Sequence, residues 1–421
     1  MLKDESGGAI GPRFELTAIR LPVAMTAGGL VLGLVLGMVF SGAAMPEWAA
    51  EMVGLVGTLW LRALQMTIIP LVASLLVLGI AQMIGAARAG AAAVKFLAMV
   101  FGVLIAGGVF TAIAMPGVLS VLPIPEVASG FLADVPQDEQ QVPGVFEFLK
   151  SLVAPNMIAA AAETAMLPLT IFFALFAVAI ARLPQAQGAT LLGFFHALAN
   201  AMLMIIGWVL WLAPIGVLAL AFGVGLKSGG GAFAALGHYI LVVSAMGGFI
   251  LLLAYVLAWT MGGISPMRFA KAVLPAQAVA VSTQSSLASL PAMLDSASRL
   301  KLRDETGEFV LPLAVAIFRS TSVAMNLAVV LYVAALAGSD VSIPLLAVGI
   351  AVAVIISIGS VSLPGSISFI VSIGPIALAM NVPIEPLALL VAVEMLPDIM
   401  RTLANVTMNV AVTSAVDRKA D

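Results

Sequence analysis

Long apolar runs separated by short polar stretches dominate the chain. A helix that crosses the hydrocarbon core of a bilayer needs about 20 consecutive apolar residues. The runs that meet this length predict eight spanning helices, at 21–41, 52–84, 90–117, 164–182, 189–225, 233–263, 305–337 and 385–415. The pattern therefore predicts an all-α polytopic membrane protein with eight transmembrane helices.

Two other apolar runs, 272–294 and 341–384, are interrupted by serine, glycine and proline, and both contain the tripeptide Ser-Leu-Pro. Backbone that leaves the helix at membrane depth must be buried in protein or line a wet cavity. Paired interrupted segments of this kind indicate the binding site of a transporter. We therefore predict two re-entrant helical hairpins, with kinked ordinary helices or helix pairs as the alternative.

Composition narrows the class of protein. The 421 residues are 62% hydrophobic and only 9% charged, with a mean hydropathy of +1.18, whereas soluble domains carry about 25% charged residues. The absence of cysteine excludes thiol chemistry, and two histidines exclude a histidine-rich metal cluster. A net charge of −3 gives no reason to expect a nucleic-acid partner. We expect membrane lipid and a small solute as partners, and no cofactor.

The distribution of basic residues predicts the orientation. Most lysines and arginines between the predicted spans fall on one side, with Lys150 and Lys227 as exceptions, and the acidic loop at 118–150 falls on the other. The positive-inside rule then places both termini in the cytoplasm and the loop outside. The polar first 20 residues do not follow the plan of a cleaved signal peptide. We expect an integral protein of the cytoplasmic (inner) membrane.

The last predicted helix carries polar residues at one face, namely Glu394, Asp398, Arg401, Asn405 and Asn409. At 100° per residue they fall within an arc of about 80°. A charge at a helix centre costs about 2.5–3.5 kcal/mol even on lenient insertion scales, which favours a functional site. An internal ion pair that only locks the helix is the alternative, and Glu394 is expected to pair with Arg401 and orient it.

The chemistry of this face suits an acidic, zwitterionic solute. The Arg401 guanidinium can grip a carboxylate in two-point fashion, and Asp398 can accept hydrogen bonds from an ammonium group. Thr402 and Asn405 add donors and acceptors, and the hairpin tips supply hydroxyls and N–H groups. Arg319, deep in its predicted helix, is either a fixed cation of the site or a structural partner for a buried carboxylate. These residues predict an aspartate or glutamate site.

Several motifs resemble the glutamate transporter family of dicarboxylate/amino acid:cation symporters. The stretch 398–407 resembles the family's last-helix signature, 283–293 resembles the tip of its first hairpin, and 357–365 resembles the tip of its second. Further matches at 61–70, 166–173 and 212–217 occur in the family's order. The resemblance covers nearly the whole chain.

The resemblance implies a homotrimer that works by an elevator mechanism. Residues 1–85 would form scaffold helices 1 and 2, 86–117 transport-domain helix 3, and 118–226 scaffold helices 4 and 5. Residues 227–421 would form the rest of the transport domain, with helices 6, 7 and 8 and both hairpins. The implied substrate-binding residues are Ser285, Ser286, Ser322, Leu363, Pro364, Asp398, Arg401, Thr402 and Asn405.

The chain departs from the family at the sodium sites. The sodium-binding Asn-Met-Asp-Gly-Thr of helix 7 falls on residues 318–322, so that Phe318 replaces the asparagine, Arg319 the methionine and Ser320 the aspartate. A second sodium-binding aspartate falls on Asn409. Sodium needs several oxygen ligands, by the same logic as calcium. The departures predict that sodium binding is lost and that Arg319 replaces an ion electrostatically.

These features predict a sodium-independent carrier of acidic amino acids. Coupling would come from protons, held by Glu394 or Asp398, or be absent, with exchange or facilitated flux. A carrier of C4-dicarboxylates or neutral amino acids is the alternative within the family. An intramembrane enzyme would need a second catalytic aspartate in a partner helix, a Ser/His pair or a set of metal ligands, and this sequence does not supply them. A channel would favour rings of like charge. We therefore expect no enzymatic activity.

Overall fold

The computed structural model describes residues 22–41, 46–87, 90–125, 150, 153–228, 231–359 and 365–418. Within these ranges the regular secondary structure is helical. The helices are α1 Val23–Phe40, α2 Glu47–Gln65, α3 Ile68–Ala87, α4 Ala91–Val121, α5 Met157–Ala162, α6 Met166–Ile180, α7 Gln185–Trp211, α8 Ala213–Ser228, α9 Gly231–Thr260, α10 Pro266–Thr283, α11 Leu290–Arg299, α12 Asp304–Ile317, α13 Ser322–Leu336, α14 Ile343–Gly359, α15 Gly365–Ala379, α16 Leu387–Leu390 and α17 Met395–Asp417.

By length and composition, five helical segments among the described residues could cross a membrane. They are Trp48–Gly85, Ala91–Val121, Gln185–Trp211, Phe233–Thr260 and Asp304–Leu336. Each predicted span contains helix, so the prediction of an all-α membrane protein is confirmed at that level. The two termini and most of the predicted loop at 118–150 lie outside the described residues.

Several predicted spans are divided in the structure. The span predicted at 189–225 is interrupted at Leu212, because Pro214 lacks the N–H that would continue the helix. The span predicted at 305–337 is divided into α12 and α13, and the four residues between them leave the helix. The prediction of one continuous helix there was wrong. Phe318, the first of the four, has extended backbone (φ −127°, ψ 114°).

The predicted hairpins correspond to pairs of helices. In the first, α10 and α11 pack on each other across a turn at 284–289, where Gln284 takes a left-handed conformation (φ 50°). In the second, α14 packs on α15, and the residues between them lie outside the described ranges. Both arms of the first hairpin also contact α17, the polar helix.

Contacts between helices separate into two groups. Helices α1 and α2 pack on α8. A second group surrounds α17, which packs on α9, α10 and α12, while α13 packs on α4 and α9. Helix α3 contacts α7 of the first part of the chain and α14 of the second hairpin. The polar helix α17 therefore lies at the centre of the second group.

The packing of α1 on α8 depends on glycine. Glycines recur every fourth residue along α1, and an added Cβ at each would overlap a backbone carbonyl oxygen of α8. The pairs are Gly29 with Pro214, Gly33 with Leu218 and Gly37 with Phe222. Small residues at such spacing let membrane helices approach closely, so that dispersion between the two backbones stabilises the pair.

Replacing Gly33 with alanine should therefore destabilise the protein. The Leu218 oxygen belongs to the backbone and cannot rotate away, so the helices must separate, at a cost of about 1–3 kcal/mol. A lower melting temperature of the protein in detergent would show this. Gly28→Ala is the control, because nothing lies within 4 Å of its added Cβ. Equal melting temperatures for the two variants would contradict this account of the packing.

Candidate functional site

The break at 318–321 is held by one side chain of α17. The Asn405 Oδ1 atom accepts hydrogen bonds from Ser320 Oγ at 2.9 Å, the Thr321 backbone N–H at 3.0 Å and Thr321 Oγ1 at 3.1 Å. All three residues are buried. Because the backbone N–H can only donate, the amide oxygen must face the break. Asn405 thus supplies the acceptor that a continuous helix would have provided.

Replacing Asn405 with alanine should leave these three donors buried without their acceptor. Each unsatisfied buried group costs about 1–3 kcal/mol, so we expect a large fall in the melting temperature of the detergent-solubilised protein. Asn405→Asp keeps an oxygen at this place and should lose less. An alanine variant as stable as the aspartate variant would show that the break does not depend on Asn405.

Arg401 is the centre of the buried polar cluster. Its Nη2 lies 2.7 Å from Glu394 Oε1, its Nη1 donates to Asn326 Oδ1 at 2.8 Å, and its Nε lies 3.4 Å from Asp398 Oδ1. The side chains of Arg401 and Glu394 are only 7% and 1% exposed. Since buried charges are costly unless paired, this arrangement stabilises the guanidinium through all three of its nitrogens.

Glu394 stands at the end of a turn rather than inside a continuous helix. The helix predicted at 385–415 divides into α16 and α17, and Glu394 is the residue before α17. Its backbone is nevertheless helical (φ −58°, ψ −24°), so its side chain keeps the same face as Asp398 and Arg401. Its Oε2 accepts a hydrogen bond from the Tyr239 hydroxyl of α9 at 3.2 Å. Glu394 therefore links two helices.

Arg319 contributes a second cation to the same region. It lies in the break between α12 and α13 and is partly buried. Its charge interacts with those of Asp398 and Arg401. With Glu394, the charged residues of this part of the structure are two arginines and two carboxylates. Their formal charges sum to zero.

The positions aligned with sodium ligands have a different environment. The Phe318 ring is buried and packs edge-on against Phe96 of α4, with centroids 6.2 Å apart. The Ser320 hydroxyl donates a hydrogen bond to Asn405 Oδ1. Asn409 is fully buried, and neither of its side-chain amide atoms has a hydrogen-bond partner among the described residues. A phenylalanine ring, a serine hydroxyl bonded to Asn405 and a neutral amide therefore occupy these three positions.

The predicted hairpin residues are described less completely than those of α17. Ser285 and Ser286 lie partly buried in the turn between α10 and α11, where Ser285 Oγ accepts from the Ala288 N–H at 3.2 Å. The predicted residues Leu363 and Pro364 of the second hairpin lie outside the described residues. The structure thus joins the helix residues into one cluster, and among the described residues the hydrogen bonds of Ser285 stay within the hairpin turn.

The remaining predicted residues belong to α13 and α17. Ser322 begins α13, and its hydroxyl accepts a hydrogen bond from Asn326 Nδ2 at 3.3 Å. Thr402 is buried beside Arg401 on α17. Ser322 therefore reaches the guanidinium through Asn326.

Sequence reasoning missed three residues of the cluster, namely Tyr239, Thr321 and Asn326. Asn326 follows Ser322 by one helical turn in an otherwise apolar helix, and this isolated amide was a usable signal. Tyr239 gave none, because tyrosine is also common as a packing residue. Its contact with Glu394 joins positions 155 apart in the chain.

Chemically, the cluster can bind an anion beside a cation. A carboxylate can take the place of a present partner of Arg401, and Asp398 can accept from an ammonium group. Asn405, with its oxygen committed to the break, presents its NH₂ group as a donor.

Comparison with known proteins identifies the family of the chain. The family described as Sodium:dicarboxylate symporter family matches residues 23–419. The chain is 26% identical to the Proton/sodium-glutamate symport protein of Bacillus subtilis (strain 168), over 90% of this chain and 88% of that protein.

Two further relatives differ in the substrates that their names give. The Neutral amino acid transporter B(0) of Homo sapiens is 26% identical over 95% of this chain and 81% of its own. The Proton/glutamate-aspartate symporter of Escherichia coli (strain K12) is 25% identical over 84% and 82%. The family is one of membrane transporters, and the homology to glutamate symport proteins agrees with the motifs of the hairpins and last helix. The chain therefore belongs to the sodium:dicarboxylate symporter family.

Proposed function

We propose that this protein is a secondary transporter for acidic amino acids, aspartate or glutamate, and that it works without sodium. The observation that carries the proposal is the buried Arg401 with Asp398 one helical turn away on the same helix. A guanidinium beside a carboxylate complements a substrate that has both a carboxylate and an ammonium group. Two relatives named for glutamate transport support this substrate class.

Asp398 and Arg401 also weigh against the alternatives. A C4-dicarboxylate has no ammonium group, so Asp398 would repel it without compensation. A neutral amino acid has no second carboxylate, so the Arg401 charge would gain no anionic partner from the side chain. One relative is nevertheless named a neutral amino acid transporter, and a neutral substrate is the second candidate.

Sodium independence is supported by the residues at the aligned ion positions. The Phe318–Phe96 ring contact and the uncharged Asn409 offer no anionic oxygen. Arg319 adds a fixed positive charge near Asp398. We infer that this charge takes the electrostatic place of a sodium ion. Coupling would then depend on protons, or the protein would act as an exchanger or uncoupled carrier.

The packing of the helices supports an elevator arrangement. In this proposal α1–α3 and α5–α8 form the scaffold (1–85 and 118–226). The transport domain consists of α4 (86–117) and α9–α17 (227–421). The contacts of α3 with α14 would then belong to the sliding interface. We further propose a homotrimer in the inner membrane with both termini cytoplasmic.

Uptake of radiolabelled aspartate into proteoliposomes tests this function. The purified full-length protein is reconstituted, and sodium and pH gradients are imposed separately. We expect uptake or exchange of aspartate that is unchanged when potassium replaces sodium. Unlabelled glutamate should compete, whereas succinate and alanine should compete poorly.

Two results would contradict the proposal. Absence of aspartate uptake, exchange and binding under every gradient would exclude the substrate class. Aspartate binding that tightens more than about tenfold on adding sodium, about 1.4 kcal/mol, would exclude sodium independence. Competition by succinate or alanine at aspartate-like concentrations would favour the alternative substrates.

A further inference from the structure

We propose that Glu394 carries the transported proton, and that its protonation releases Arg401 to bind the substrate carboxylate. This inference rests on the proposed function and assigns its coupling to one residue. It also distinguishes Glu394 from Asp398, which would bind the substrate ammonium group. Glu394 then acts on the substrate through Arg401, as a positioning residue.

The charge of Arg401 is already paired within the cluster. Nη1 is bound by Asn326, Nη2 by Glu394, and Nε lies closest to Asp398. The guanidinium has five N–H donors, of which Asn326 and Glu394 bind two, so a substrate carboxylate competes for the charge of Arg401 more than for a free donor. Glu394 is the partner that most resembles the substrate, because its carboxylate is anionic and holds Nη2 at 2.7 Å. Its neutral form would give up the charge-assisted bond at little cost.

The charge of the site also points to a proton. Arg319 and Arg401 balance Glu394 and Asp398, so the formal sum over these residues is zero. Aspartate has one ammonium group and two carboxylates, and binding it would leave one uncompensated negative charge in a buried site. Because an unpaired buried charge is strongly unfavourable, a compensating cation is required. One proton on Glu394 restores neutrality without a metal ion.

The groups that face Glu394 come from three helices. Asp398 and Arg401 lie on its own helix, and Tyr239 of α9 donates to its second oxygen. Behind Tyr239 lies Tyr332 of α13, in edge contact with ring centroids 5.4 Å apart. Neither tyrosine carries a charge at neutral pH. Among these groups Glu394 is the carboxylate that competes directly for Nη2.

The Glu394 carboxylate takes one proton from solvent and becomes a neutral carboxylic acid, which forms one O–H bond. Arg401 Nη2 then donates to a substrate carboxylate oxygen instead of to Glu394. On the other side of the membrane the substrate leaves, the proton returns to water, and the ion pair forms again. Each cycle moves one proton with one aspartate, and the loaded site is neutral.

An ionisable side chain outside the cluster serves as a control. His238 lies 3.1 Å from the Tyr332 hydroxyl and 3.0 Å from the Leu122 carbonyl oxygen. Along these contacts, Tyr332 and Tyr239 both lie between His238 and Glu394. Replacement of His238 by glutamine should leave the pH dependence of aspartate binding unchanged.

The test measures aspartate affinity by calorimetry on the full-length protein, from about pH 5.5 to about pH 8.5. For the wild type and for Glu394→Asp, affinity should fall with rising pH, by up to about tenfold per unit in the upper part of the range. For Glu394→Gln the affinity should vary less than about twofold. In proteoliposomes this variant should keep aspartate exchange and lose uptake driven by a pH gradient.

The outcomes separate the two proposals. A wild type that binds no aspartate at any pH defeats the proposed function and this inference with it. A wild type that binds aspartate with the same affinity at every pH keeps the proposed function and overturns the inference. So does a Glu394→Gln variant that retains the wild-type slope, or one that elutes as a folded, monodisperse protein and binds no aspartate.

Discussion

The Arg401→Ala variant is expected to lose aspartate binding by at least about 30-fold. Removing one partner of a buried charge pair costs about 2–5 kcal/mol, and each 1.4 kcal/mol corresponds to about tenfold in affinity. Here the loss has two origins. The substrate carboxylate loses its cation, and Glu394 and Asp398 are left near each other without the charge that separates them. Calorimetry with aspartate measures the effect.

The matched control for this variant is Arg62→Ala. Arg62 is exposed in the last turn of α2, so that its removal tests the loss of a cation away from the cluster. It should leave the aspartate affinity unchanged. An Arg401→Ala protein that is monodisperse and binds aspartate as the wild type does would refute the role of Arg401.

The Arg319→Met variant should weaken aspartate binding by about tenfold or more, that is about 1.4 kcal/mol. Methionine preserves much of the side-chain length and removes the charge, so the formal sum over the site changes from zero to minus one. An anionic substrate is then disfavoured by Coulomb repulsion in a region of low dielectric constant. The measurement is the aspartate dissociation constant in sodium-free buffer.

Charge rather than shape should account for this effect, so Arg319→Lys is expected to recover much of the affinity. Added sodium should not rescue Arg319→Met, because Ser320 and Asn409 remain uncharged. Unchanged affinity in Arg319→Met, or recovery of its affinity by sodium alone, would contradict the idea that Arg319 replaces an ion.

The helical architecture was the part most accessible from the sequence. Apolar runs longer than a membrane span leave few alternatives to helix, because every backbone polar group must be satisfied within the segment. The interruption at Leu212 was also accessible in principle, since Pro214 follows it. The interruptions of the two serine-rich runs were predicted from their glycine, serine and proline content.

The break at 318–321 was not accessible in the same way. None of its residues is glycine or proline, so the local sequence contains no strong helix breaker. Its stability comes from Asn405, whose oxygen replaces helical acceptors from a position 84 residues away. A non-local hydrogen bond of this kind has no signature in the spacing of apolar residues.

In the candidate site, contacts within one helix could be predicted from the sequence, and contacts between helices could not. The contact of Glu394 with Arg401 followed from helical spacing, because both residues lie on one helix and its preceding turn. The contributions of Asn326 and Tyr239 depend on how α13 and α9 pack on α17. That packing is set by tertiary structure, and single polar residues in apolar helices do not reveal their partners.

The orientation of the Asn405 amide has a consequence for molecular discrimination. With its oxygen fixed by three donors, the group cannot turn over to accept from an ammonium ligand without leaving those donors opposite an NH₂ group. The Asn405 NH₂ group can therefore form a hydrogen bond only with a ligand that has an acceptor at this place. Decarboxylated analogues such as β-alanine keep the amine and one carboxylate. They would leave the Asn405 NH₂ group without an acceptor and should be poor substrates.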